Sequence, residues 1–109
     1  MGRAVIEVTK DNFDEMILRS KQPVIADLWA EWCAPCRMLA PTMDEIANIF
    51  KGKINIVKIN VDETPELATE LSVMNIPTLI FFKDGKEAGR LIGLNTKEHI
   101  KKKIEEYFG

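Results

Sequence analysis

The sequence predicts an α/β layer fold in which a central mixed sheet is flanked by helices. Three observations carry this. Apolar runs short enough for strands alternate with stretches of helical periodicity; the run Val24-Ile25-Ala26-Asp27-Leu28-Trp29 is almost continuously apolar, as suits a strand covered on both faces; and the last two strand-like runs flank Asp84-Gly85, a dipeptide suited to a two-residue hairpin. The order is β-α-β-α-β-α-β-β-α, three strands joined by helical crossovers and then an antiparallel pair on the same sheet. At 109 residues the chain is the size of one domain, spanning 1–109, with enough length to bury a core without disulfide or metal staples.

Each element has its own signal. Ala4 to Val8 reads as a short strand, and Asp11-Asn12 then opens an amphipathic helix with Phe13, Met16 and Ile17 at helical spacing. Pro23 ends that connection ahead of the apolar strand, in which Asp27 is the one anomaly. A long helix is expected from about Cys33 to Phe50, with Met38, Leu39, Met43, Ile46, Ala47 and Phe50 inward, a kink at Pro41 and a stop at Gly52. Ile54 to Val61 is the next strand. Thr64-Pro65 then pairs a capping hydroxyl with proline at a first helical position, opening a helix that ends near Leu71. Thr78–Phe82 and Glu87–Ile92 form the hairpin, and Asn95 with Glu98 caps a final helix whose Ile100, Ile104, Tyr107 and Phe108 share a face. The Lys101-Lys102-Lys103 run in that helix reads as solvated surface.

Fifteen basic against seventeen acidic side chains give a formal charge of −2, so no strong field gathers nucleic acid or anionic lipid. No apolar stretch is long enough to span a membrane, the start lacks the apolar core of a signal peptide, and Ile6 stands where a myristoylation motif needs Ser or Thr. The expectation is a cytosolic, monomeric protein. Two closely spaced cysteines in such a chain point to metal binding or redox chemistry and away from a disulfide framework.

The spacing of Cys33-Ala34-Pro35-Cys36 admits a zinc half-site, a haem attachment site, a strained bridge or a redox couple. Zinc needs four ligands, and the one histidine, His99, lies on a distant helix; haem attachment needs histidine after the second cysteine, where Arg37 stands. The redox reading has a mechanism: a cysteine opening a helix meets unpaired N–H groups and the positive end of the helix dipole, which favour thiolate. Exposure and dipole together make Cys33 the attacker and Cys36, one turn in, the resolver. Asp27 lies on the strand face of Ile25 and Trp29, just ahead of the cysteines, so a buried carboxylate near Cys36 is expected. Lys58 is either its neighbour across adjacent strands or an edge lysine reaching solvent. Trp29, Phe81, Met38 and Met43 read as core packing.

The stretch Trp29-Ala30-Glu31-Trp32-Cys33-Ala34-Pro35-Cys36-Arg37 resembles the thioredoxin family, whose site reads Trp-Cys-Gly-Pro-Cys followed by Lys or Arg. The resemblance extends along the chain through Asp27, Pro41, Lys58, Ile76-Pro77-Thr78, Gly85 and Gly93. It implies the thioredoxin fold and a protein disulfide reductase that maintains redox homeostasis in the cytoplasm as an electron carrier. It also implies that Asp27 takes the Cys36 proton, and that the Ile76–Pro77 bond is cis and faces the disulfide. Ile76 then pairs its backbone with an extended client, and Trp32, Ala34, Pro35, Ile76, Pro77 and Gly93, with Met74 at the edge, form an apolar client surface. Ala34 replaces the family's usual glycine, so Ala34, Pro35 and Lys58 are the residues expected to tune the redox poise. No cofactor and no metal are expected; without a Gly-rich dinucleotide motif, electrons come from thioredoxin reductase and pass to disulfide-containing client proteins. Two alternatives are a disulfide oxidase or isomerase, separable by reduction potential, and a non-catalytic interaction module in which the cysteines are dispensable.

Overall fold

The computed structural model describes residues 5–109. Its five strands, β1 (Val5–Glu7), β2 (Val24–Trp29), β3 (Asn55–Asn60), β4 (Thr78–Lys83) and β5 (Lys86–Ile92), form one sheet in the order β1-β3-β2-β4-β5. β3 runs parallel to β1 and β2, β4 is antiparallel to β2, and β5 is antiparallel to β4. The helices are α1 (Ala34–Ile49), α2 (Pro65–Glu70) and α3 (Lys97–Phe108). Ala4, expected at the start of the first strand, lies outside the described residues.

The alternation of side chains along β2 decides the layering. Ile25 joins Leu39, Met43, Ile46, Ile56, Leu79, Phe81, Ile100 and Ile104 in a core beneath α1 and α3. Val24, Ala26 and Leu28 face the other way, into a core with Val8, Ile17, Val57, Ile59, Leu67, Ile80 and Phe82 that α2 covers. A strand buried on both faces has no room for a polar face, and this explains its near-continuous apolar run. By the same alternation Asp27 and Trp29 fall on the α1 side with Ile25.

Several local expectations are corrected. The segment after β1 forms a five-residue π-helical turn, Asp14–Leu18, in place of a regular helix. Asn12 closes the preceding loop by accepting the Thr9 N–H at 2.8 Å, and the wide turn buries Ile17 while Phe13 and Met16 pack partly on the lower core. Met38 is 64% exposed, because only Leu39, Met43, Ile46 and Ala47 on α1 share its inward stripe with Cys36. Pro41 lies inside α1 on its exposed side and the helix continues through it. The hydroxyl of Thr64 does not cap α2; it donates to the Asn60 carbonyl at 2.9 Å. α3 is capped by Thr96, whose side chain accepts the His99 N–H at 3.1 Å, while Asn95 donates back to Gly93.

The hairpin is as expected. Asp84 and Gly85 have φ of 53° and 78°, the double left-handed conformation that matches a tight turn to the twist of its strands, and a Cβ at Gly85 would meet the Leu18 carbonyl. A bulge between Phe81 and Phe82 shifts the β4–β5 register. On β5, Gly89 opposes Phe81 and leaves space for the Tyr107 ring, which meets Phe81 edge-on at 5.0 Å.

That contact gives a stability prediction. A Gly89→Ala methyl enters the space of the Tyr107 ring and displaces it from its edge-on seat against Phe81; overpacking of this kind costs about 1 to 3 kcal/mol. Thermal melts should show the midpoint falling by several degrees, and an unchanged midpoint would mean that α3 does not seat against β5 through Tyr107.

Candidate active site

β2 ends at Trp29, and the turn that follows delivers Cys33 to the N-cap of α1. Cys33 is extended (φ −89°, ψ 107°), its N–H donates to the Ala30 carbonyl at 3.2 Å, and its sulfur accepts the Cys36 N–H at 3.2 Å. A sulfur at that position stands where a capping oxygen usually sits, and the N–H it accepts would hold the thiolate after reduction. Cys33 and Cys36 form a disulfide, with Cα atoms 5.2 Å apart. Proline and alanine between them complete the first turn, Pro35 lying where its missing N–H leaves no helical bond unmade.

Exposure does not separate the two sulfurs as the sequence suggested: in the oxidised protein Cys33 is 5% exposed and Cys36 2%. Their surroundings separate them. Cys33 Sγ lies 3.9 Å from the Ile76 carbonyl oxygen, against the loop that precedes β4. Cys36 lines a cavity of about 140 Å³ with Asp27, Trp29, Arg37, Ala40, Met43, Asp44, Lys58 and Val5. One sulfur faces the surface loop and the other a mainly apolar cavity into which Asp27 and Lys58 bring charge.

Asp27 is 7% exposed and its Oδ1 has no hydrogen-bond partner among the described residues; the Trp29 indole N–H is likewise buried and unpartnered. A cavity of this size with two such groups on its wall has room for water to bond to both. Burial raises the Asp27 pKa from 3.8 to about 7, and the positive charge of Lys58 moderates the rise. Lys58 is in register with Asp27 across β2–β3 and with Glu7 across β1–β3, so it is the neighbour of Asp27 and not a free edge lysine. Its ammonium lies 4.3 Å from the Trp29 ring centroid. Trp29, read from sequence as core, is thus half-buried and closes the cavity between Lys58 and Cys36.

The rim around Cys33 combines expected and unexpected residues. Trp32 is 68% exposed and Met74 89%, with Ala34 and Pro35 also exposed. The Ile76–Pro77 bond is cis; Ile76 is half-buried, while Pro77 is buried beneath it and does not itself offer surface. The Pro77 carbonyl accepts the Gly93 N–H at 2.8 Å, bringing the end of β5 to the same rim. Ile92 and Leu94, both exposed, flank Gly93 and were missed in the sequence. So was Asp62, which accepts the Trp32 indole N–H at 2.8 Å across thirty positions of chain; nothing local marks it. Among the described residues, no three or more His, Cys, Asp or Glu side chains are placed to hold a metal ion.

The profile of the family described as Thioredoxin matches residues 4–106. The chain belongs to the thioredoxin family. It is similar to a Staphylococcus saprophyticus thioredoxin, 43% identical over 95% of this chain and 98% of that protein, and to thioredoxin 1 of a Nostoc species, 41% identical over 95% and 97%. It is also 43% identical to the chloroplastic M-type thioredoxin of Pisum sativum over 94% of this chain, which spans 60% of the pea protein's length. The sheet order and helices described above are the thioredoxin fold, and the Cys33–Cys36 pair is its redox-active disulfide: the protein is a thioredoxin-type dithiol–disulfide oxidoreductase.

The buried carboxylate makes stability depend on pH. Between pH 3.8 and about 7 the folded protein retains a proton that the unfolded chain has released, so stability falls as pH rises through that window and is unaffected below it. A shift of about three pH units corresponds to roughly 4 kcal/mol at and above neutrality, against about 1 kcal/mol for the cavity left by removing the side chain. Asp27→Ala should therefore unfold at higher denaturant concentration than the wild type at pH 8 and, with only the cavity cost left, at a somewhat lower concentration at pH 3.5. A variant less stable at pH 8 would show that Asp27 is held by a favourable interaction.

Proposed function

We propose that the protein is a disulfide reductase in which Cys33 attacks and Cys36 resolves. The observation that carries this reading is the different setting of the two sulfurs, one capping α1 against the Ile76 loop and the other in the Asp27 cavity.

The cycle starts from the dithiol. The Cys33 thiolate, favoured by the α1 N–H groups, attacks one sulfur of a client disulfide, and the other client sulfur leaves as a thiolate that takes a proton from solvent. The client is now joined to Cys33. Asp27, with a pKa near 7, accepts the Cys36 proton through water in the shared cavity and can return it afterwards. The Cys36 thiolate attacks Cys33 Sγ, the internal disulfide forms as the Cys33–client bond breaks, and the second client sulfur leaves as a thiolate that takes its proton from Asp27 or solvent, so the client has gained two electrons and two protons. Lys58 favours the ionised carboxylate and so helps to set the pH at which this transfer works.

Ile76 and Gly93 border the approach to Cys33, and an extended client segment there pairs with the Ile76 backbone over the buried Pro77. Trp32, Ala34 and Pro35 supply uncharged contacts that demand no particular sequence. Ala34 and Pro35 occupy the turn between the sulfurs, where they act on redox poise; the direction proposed is that of a reductant. Thioredoxin reductase restores the dithiol, and the protein serves as a monomeric electron carrier to disulfide proteins of the cytosol, without a resident cofactor. The near-neutral charge supports this reading, giving no field for nucleic acid or membrane.

Two outcomes are expected. Cys36→Ser should accumulate as a mixed disulfide with client on a non-reducing gel, whereas Cys33→Ser should neither trap nor reduce; trapping by the Cys33 variant would exchange the roles. Asp27→Ala should slow client release at pH 7 by at least about tenfold in single-turnover stopped flow, with recovery at alkaline pH where Cys36 ionises unaided. A release rate that is unchanged at pH 7 would remove Asp27 from the cycle.

A further inference from the structure

The loop that presents Ile76 to Cys33 is held at both ends. At its far end the Thr78 hydroxyl donates to the Asn75 carbonyl at 2.6 Å, and the Pro77 carbonyl is fixed by Gly93. At its near end the chain leaves α2 through a left-handed residue, Ser72 (φ 57°), with the Val73 N–H reaching back to the Ala68 carbonyl at 2.9 Å. This closing turn places a non-glycine residue where glycine is favoured, and turns the Leu71 and Ser72 carbonyls outward.

Those carbonyls are taken by Arg90. Its Nη2 donates to the Leu71 carbonyl at 2.9 Å and its Nη1 to the Ser72 carbonyl at 3.3 Å. Nε and Nη2 also donate to the two oxygens of Glu87, at 2.6 and 2.8 Å, and this bidentate pair fixes the plane of the guanidinium. Arg90 stands opposite Ile80 on β5, on the sheet face that α2 covers, so the side chain crosses from the sheet to the end of α2. A cation there also complements the negative end of a helix. Between the Arg90 tether and the Asn75 tether stand only Val73 and Met74, and Met74 is almost wholly exposed.

We propose that Arg90 is a positioning residue for disulfide exchange: by clamping the Leu71–Ser72 turn it holds the Ile76 backbone in the place where an extended client pairs beside Cys33. The inference rests on the reductase reading above and adds a residue far from the cysteines in sequence. It separates two kinds of substrate. A small disulfide meets only the Cys33 sulfur, whereas a peptide lies along residues 74–76 and depends on how that segment is held.

The test compares reduction by the dithiol form of two probes with the same leaving group: hydroxyethyl disulfide, and an extended alanine-based peptide whose single cysteine is joined to hydroxyethanethiol. Arg90→Ala should lower the second-order rate with the peptide by about tenfold, the order sustained by hydrogen bonds to a charged group, and change the rate with hydroxyethyl disulfide less than about twofold. The loss should appear in KM more than in kcat. Arg90→Lys, which keeps the charge and loses the fork, should recover less than half of the peptide rate; Glu87→Gln, which folds with Arg90 intact, should give a smaller loss in the same direction. Amide hydrogen exchange at Val73–Ile76 should accelerate in Arg90→Ala while that of β2 and β3 does not. Equal losses with both probes, or none, would overturn the proposal. A wild-type protein that reduces neither probe would instead overturn the reductase reading on which it rests.

Discussion

Everything in this fold is arranged around one strand that has no exposed face. β2 has β3 on one side, β4 on the other, α1 above and α2 below, so each of its side chains must be apolar or must have a use that repays desolvation. Asp27 is the one ionisable group on it, and its raised pKa is the physical signature of that position. The same strand, being central, carries its carboxyl end to the middle of one sheet edge, where the chain turns directly into α1. Disulfide, carboxylate and lysine are therefore brought together by pairing register and strand alternation, with no dedicated loop to hold them.

That origin explains what could be read from the sequence. Periodicity was sufficient for the succession of strands and helices along the chain and, Met38 apart, for the inward faces of α1 and α3, because those signals come from burial itself. The Asp27–Lys58 relation was accessible as one of two options, and register decided between them. Local capping was less legible. Thr64 and Asn95 both have the right side chains to cap a helix, but each found a nearer backbone partner, Asn60 and Gly93, made available by the turn it stands in. Met38 looked inward because methionine is apolar, although its angular position on α1 turns it to solvent. Asp62 could not have been found from local pattern, nor could the hold of Arg90 on the Leu71 and Ser72 carbonyls, since those partners meet only after the sheet has formed.

The two cysteines illustrate how little exposure matters beside environment. Both are buried in the oxidised protein. Their settings differ: the start of α1 offers an N–H to the Cys33 sulfur, and a cavity of about 140 Å³ that Asp27 and Lys58 help to line adjoins Cys36. A dithiol needs this asymmetry: a pair with equal surroundings would have no preferred order of attack.

A sheet with two open edges must avoid pairing with other chains. The outer strands show how. The described part of β1 is three residues long, and β5 carries Lys86, Glu87 and Arg90 along an edge already twisted by the bulge at Phe81–Phe82. Strand addition along the β5 edge is thereby disfavoured. The margins of the sheet remain unsuitable for the cross-strand growth that turns a transient client into an aggregate.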